Sequence, residues 1–428
     1  MRRYLSTCLM GITLLLLGLC IVSALLIRTP EIQIPPRRYP VPNAYDHYKR
    51  LGNAAYGVRR SDPKVQALLD RYRHPRLSLH SANEYAYLQR AFRPLLKEYR
   101  RYLNQPCVVV LEYDLNYSFS EVSGFRDMAR VERLLMDYEL RHGRTATALE
   151  RFDSMARFSQ QIRNEGGPVH FLVGIAISAI MIDGVTWELA KMDATALAQL
   201  VATCRRYEQE RVPLVESMQT ERYWGLSAIQ RMREGALLAD RDAFGSEPPI
   251  LIRVPFVRKF VYPTALKGYD DYMKRVIAET QKPPWQRQSV TPPKSRWARP
   301  FVDMLATELE HIWHKEAREM AQMRLLGCAA AIRLHQLRTG RYPARLEVLN
   351  LGTMAIDPFT GQPFRYKTDP RRGFLLYSLG QDRRDDGGWR MPDNQTTWGD
   401  LSPIPYRPSR SATGPAIAAP LGEPAWLR

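Results

Sequence analysis

A chain of 428 residues is longer than one hydrophobic core usually serves, and 45% hydrophobic with 25% charged residues excludes the composition of a disordered chain. The 62 Lys and Arg against 44 Asp and Glu give a formal charge of +18, which suits contact with something anionic. The basic residues are scattered, with no long basic block or nucleic-acid motif, so the expectation is a solvated basic surface near an anionic membrane and no nucleic-acid partner.

The first element is an uncharged run, residues 4–27, between Arg3 and Arg28. At helical rise it is long enough to cross ~30 Å of hydrocarbon. A cleaved signal peptide would be cut near Ser23 and Ala24, but the run continues through Leu25, Leu26 and Ile27 without a polar break, which favours an uncleaved anchor. Leu19 before Cys20 argues against a lipoprotein signal, and Arg2 and Arg3 favour a cytoplasmic N-terminus. Residues 1–28 are therefore expected to be a transmembrane anchor, placing the bulk of the chain outside the cytoplasm, at a bacterial inner membrane facing the periplasm.

Residues 29–43 carry Pro30, Pro35, Pro36, Pro40 and Pro42, which remove backbone donors and predict an extended stalk. Helical spacing of apolar residues over 85–103, 128–141, 146–163 and 194–211 predicts a helical domain over 44–281, a bundle or short solenoid. Within it, Arg141-His142-Gly143-Arg144 separates two amphipathic stretches and predicts a helical hairpin. With Gly143, Ala148 and Phe152 in place, that hairpin resembles a single tetratricopeptide-like unit, although no second copy follows at the ~34-residue period. The apolar stretch 168–182 contains His170, stops at Asp183 and is too short to span, so it is expected to be a buried helix. Prolines in 282–300 predict a loop or linker, and 401–428, rich in Pro, Ala and Ser, is expected to be largely disordered. The wide spacing of Cys107, Cys204 and Cys328 suggests buried small side chains, with no disulfide framework expected.

The most specific pattern lies in 320–389. A helix ends at Gly340 with Tyr342 and Pro343 after it. Asp357, Pro358, Phe359, Gly361, Pro363, Phe364 and Tyr366 follow, then Tyr377, Ser378, Gly380 and Asp382, running into Asp385, Asp386, Gly387 and Gly388. Short aromatic and apolar runs between these turns predict two or three strands of a small antiparallel sheet. The three elements in this order resemble the soluble part of type II secretion pseudopilins, particularly the major pseudopilin. The resemblance implies a small α+β module over 301–400, within a chain that is mainly α overall. In that family the acidic loop binds calcium, which implies Asp382, Asp385 and Asp386 as carboxylate ligands, with carbonyls from 376–380. A hard cation wants several oxygens, and glycines let such a loop curl. Two features depart from the family: residues 4–27 contain no acid, and a long helical region separates them from the matching segment.

No P-loop, GxSxG elbow, HExxH or dinucleotide fingerprint occurs. His311 and His314 lie one helical turn apart beside Glu310 but have no evident third zinc ligand. Glu112 with Asp114, or Glu216 with Glu221, are reserve pairs for acid and base work. The favoured expectation is a non-enzymatic scaffold or adaptor for a protein partner of the envelope or secretion machinery. The alternative is a membrane-anchored hydrolase with its site in the helical domain.

Overall fold

The structure is a computed structural model that describes residues 13–15, 17–18, 33–71, 81–111, 113, 119–186, 188–234, 255–306, 309–369, 373–388, 400–402, 406–408 and 418–420. Residues 13–15 and 17–18 are helical and exposed; the rest of the apolar N-terminal run, and the stalk up to residue 32, lie outside the described residues. The described chain is mainly helical, with a small antiparallel sheet near its C-terminal end.

Residues 33–43 lie extended against the helices, with Arg37 donating to the carbonyls of Val109 and Glu165. The side chain of Asn43 caps α1, Ala44–Ser61, by accepting from the Tyr45 amide, and ties the cap to Val108. Helix α2, Pro63–Arg71, follows directly. A reciprocal Ser81/Glu84 capping box starts α3, Ala82–Arg101, satisfying two amides that the first turn leaves unpaired. The expected hairpin is α4, Ser120–Arg141, and α5, Thr145–Gln161, with Gly143 at φ +72° in the turn.

Helix α6, Pro168–Thr186, runs into the centre of the bundle, where it packs on α4 and α5. Among the described residues it is long and apolar enough to cross a membrane, yet Phe171, Ile177, Met181 and Val185 are fully buried inside the protein. A core helix passes that test as readily as a membrane helix does. Helices α7, Ala194–Gln209, α8, Leu214–Glu234, α9, Pro255–Thr280, and the short α10, Arg299–Leu305, complete the region before α11, Leu309–Thr339.

One contact fixes the crossing of α1 over α4. A Cβ on Gly124 would stand 1.7 Å from the Gly52 carbonyl oxygen, so the two backbones touch and only glycine fits. Phe125 fills the space beside them, fully buried, a side chain whose removal from water stabilises by about 2 kcal/mol.

The buried apolar residues form two clusters. The larger joins α1–α7 with α11 from Ala317 onward and the sheet; the smaller joins Phe171 of α6 with α8, α9, α10 and the first turns of α11. Helix α11 therefore threads both. The proline-rich stretch 282–300 is fastened to it by Arg287, which pairs with Glu316 at 2.6 Å. Residues 301–400 accordingly share their core with the helical region.

After Gly340, the strands β1, Arg365–Asp369, and β2, Gly373–Tyr377, pair antiparallel from Arg365 opposite Tyr377 to Asp369 opposite Gly373. Leu401 bridges to Ser378 beyond the end of β2. Within 401–428, Tyr406–Pro408 pairs antiparallel with Ala418–Pro420 as β3 and β4, and most of the remaining tail lies outside the described residues.

Candidate cation-binding loop and neighbouring clefts

The C-terminal module is built around Asp357. Its carboxylate, 1% exposed, accepts from the Phe359 amide at 2.9 Å, the Ser378 hydroxyl at 2.9 Å and the Leu379 amide at 3.0 Å. The Asp-Pro-Phe turn is thereby tied to the end of β2. Tyr366 donates to the Pro343 carbonyl at 2.7 Å, and Tyr342 packs on Phe374 and against Gly373. The residues of the three sequence elements thus form one knot that fixes where the acidic loop begins.

In that loop, Asp385 accepts from the Tyr377 hydroxyl at 2.8 Å and pairs with Arg365 at 3.3 Å. Asp382 caps its own turn by accepting from the Arg384 amide. Asp386 presents its amide, with that of Gly388, to Oδ2 of Asp400, at 3.1 and 2.7 Å. Nothing in the sequence around Asp400 marks it as part of this loop. It is fully buried, and its Oδ1 has no hydrogen-bond partner among the described residues. Desolvation pushes its carboxyl up to about 7 even though the Gly388 amide opposes it, and the charges of Asp386 and Asp385 add to the rise.

The site therefore brings Asp385, Asp386 and Asp400 into one electrostatic neighbourhood. Among the described residues no three acidic, histidine or cysteine side chains converge at ligand distances, so binding an ion requires the loop to draw inward. The donor set suits a hard cation: carboxylates, glycine-rich backbone and one orphaned buried oxygen. His311 and His314 stand exposed on α11, and among the described residues they gather no third ligand. Cys107, Cys204 and Cys328 are buried free thiols.

A second polar centre sits inside the helices. Arg163, fully buried, donates to Ser178 at 2.8 Å, Tyr207 at 3.0 Å and Glu319 at 3.1 Å. Arg211 pairs with the other oxygen of Glu319 at 2.6 Å. Desolvation would raise the Glu319 carboxyl, but Arg163 and Arg211 overcome it and hold the group down at about 2. Nearby, Arg324 on α11 joins Glu208 to the Ile356 carbonyl at 2.8 Å, linking this centre to the C-terminal module.

Two clefts flank α8. One, of about 320 Å³, is walled by apolar side chains including Phe119, Leu172 and Trp224, with Glu221 and Lys315 on its lining. Desolvation alone pushes the Glu221 carboxyl up to about 7. The other, of about 440 Å³, lies where the stalk meets the helices and holds Glu216. The pair Glu216 and Glu221 is thus split between two clefts, because five residues along a helix turn the side chains roughly 140° apart. Glu112 and Asp114 lie outside the described residues.

No family model matches the chain, and no curated protein or solved structure matches it significantly.

Proposed function

We propose that the chain is a non-enzymatic scaffold of a bacterial cell envelope, held at the inner membrane by its N-terminal apolar run. Its C-terminal module, resembling that of type II secretion pseudopilins, would be stiffened by calcium to present a docking face to a protein partner of the envelope or secretion machinery. One observation supports this reading above the others: the orphaned Oδ1 of Asp400, buried beside Asp385 and Asp386. A buried, partnerless carboxylate oxygen among like charges is stabilised by a cation.

The test is calorimetric titration of the full-length chain with calcium, with magnesium as control, alongside thermal melting. Saturable calcium binding with a raised melting temperature is expected, lost in Asp400→Asn and in Asp385→Ala/Asp386→Ala. At a calcium concentration about a hundred times Kd, the stabilisation is roughly 2.7 kcal/mol. Absence of binding at millimolar calcium sinks the cation reading. Recovery of the chain in the soluble fraction, with residues 1–28 intact, sinks the anchor.

The rival reading, a membrane-anchored extracytoplasmic hydrolase, draws support from Glu221, a carboxyl near neutrality on the wall of an apolar cleft. It predicts a hydrolytic activity that Glu221→Gln abolishes.

A further inference from the structure

The apolar cleft of about 320 Å³ lies at the lower edge of the ~300–1,000 Å³ range of small-ligand sites. Three helices meet there, each laying side chains at helical spacing on its wall: Val169 and Leu172 from α6, Glu221 and Trp224 from α8, Leu309 and Ile312 from α11. Phe119, at the start of α4, adds a further apolar face.

The polar groups of the cleft are few and unequal. Thr220 is already engaged, donating to the Glu165 carbonyl at 3.3 Å. His311 and Lys315 stand exposed one turn apart on α11, where water solvates them. Glu221 differs from both. It is half-buried in an apolar wall, and among the described residues neither a donor nor a cation pairs with its carboxylate. Tyr269, the hydroxyl nearest to it, donates to the Glu221 backbone carbonyl at 3.3 Å. Nor is the carboxylate sealed in the interior, as Oε2 of Glu216 is; the accessible part of the side chain opens on the cleft. Desolvation without a neighbouring positive charge leaves its ionised form uncompensated.

Magnitudes decide which of these groups a ligand answers. An ion pair formed in water at Lys315 gains little, because solvent screens it and ordering the long side chain costs entropy. A charge-assisted hydrogen bond to a carboxylate already stripped of water gains more. The complement of this cleft is therefore a positively charged donor on an apolar body. A quaternary ammonium has the charge but no N–H, whereas a primary amine brings the charge and three donors together. From this arrangement we infer that the cleft between α6, α8 and α11 binds a primary amine carried on an apolar chain or ring, its ammonium donating to Glu221 and its hydrocarbon lying among Phe119, Leu172, Trp224 and Ile312. Neither the acidic loop nor a hydrolytic step enters this binding.

The experiment titrates the full-length chain with n-hexylamine, and with 1-hexanol and hexanoate as neutral and anionic counterparts, by calorimetry and saturation-transfer NMR. Hexylamine is expected to bind with Kd between about 0.1 and 1 mM, with hexanol about fivefold weaker and hexanoate weaker still. Glu221→Gln should weaken hexylamine about tenfold and leave hexanol unchanged, which shows the cleft intact. Lys315→Ala should alter hexylamine by less than about twofold. Val169→Trp, at an exposed lining residue, should fill the cleft and exclude both amine and alcohol. Any of four outcomes overturns the inference: hexylamine does not bind at about 10 mM; hexanol binds as tightly as hexylamine; hexanoate does so and is weakened by Lys315→Ala; or Glu221→Gln binds the amine as the parent does.

Discussion

Replacing Glu319 with glutamine tests the buried centre most directly. Glu319 accepts from Arg163, Tyr207 and Arg211. The substitution keeps the shape but leaves two guanidinium groups facing a neutral amide. Removing one partner of a buried ion pair costs about 3–5 kcal/mol, because the remaining charge stays desolvated. The shift of the carboxyl gives an independent figure. From 4.5 down to about 2, at ~1.4 kcal/mol per unit, pairing in the ionised form contributes roughly 3 kcal/mol. Because the folded value is depressed, that contribution is present above the unfolded value near 4.5 and is lost as pH falls through about 2. Denaturant unfolding followed by tryptophan fluorescence should show the parent ahead of Glu319→Gln by roughly 3 kcal/mol at pH 7, with the gap narrowing between pH 4.5 and 2. A gap below about 1 kcal/mol, or one that does not change with pH, refutes the argument.

Other consequences are accessible with standard measurements. Gly124→Ala places a methyl on the Gly52 carbonyl and forces α1 off α4; a loss of at least about 1–3 kcal/mol in denaturant unfolding is expected. Asp357→Ala leaves the Phe359 and Leu379 amides and the Ser378 hydroxyl without their acceptor, so amide exchange at Phe359 and Leu379 should accelerate by tenfold or more, about 1–3 kcal/mol of local stability. The folded pKa of Asp400 is raised, so without a cation its ionisation should erode stability as pH rises from about 4 to 7. Calcium must displace that proton, so calcium affinity should climb over the same window and level off above it in calorimetry at stepped pH. His170 is buried with its basicity pushed down to about 3 by desolvation, and the nearby Arg37 and Lys49 charges act in the same direction. Stability should therefore fall as pH drops below about 6.5, a loss that His170→Gln should lessen in acid melts.

The sequence made the local structure legible because helices and turns are encoded by near neighbours. The turn at Gly143 is one case, and the depth of the apolar stretch from Pro168 is another. The order of turns and strands from Gly340 to Tyr377 could be read from its prolines, glycines and aromatics, and β1 and β2 lie where those runs fall. What escaped depends on partners distant in the chain. Nothing local distinguishes Arg163 or Arg211 from the other arginines; burial against Glu319 does. Asp400 sits among residues that read as the edge of a tail, and the Leu401 bridge to Ser378, with the Asp386 and Gly388 amides donating to its carboxylate, brings it under the acidic loop. Arg37 read as part of a spacer, and its burial depends on carbonyls more than seventy residues away. Pairing Glu216 with Glu221 failed on helix geometry, although their five-residue spacing was available from the start.

Helix α11 spans 31 residues, roughly 45 Å at helical rise, and is held along that length by both hydrophobic clusters. Under tension such an element behaves as a shared spar. A pull applied between the stalk and the C-terminal sheet cannot peel one cluster away while the other stays intact, because each relies on the same rod for part of its wall. Stretching single molecules from these two points should give one dominant rupture in place of two smaller steps. A chain built this way would pass force between its two ends with little intervening compliance.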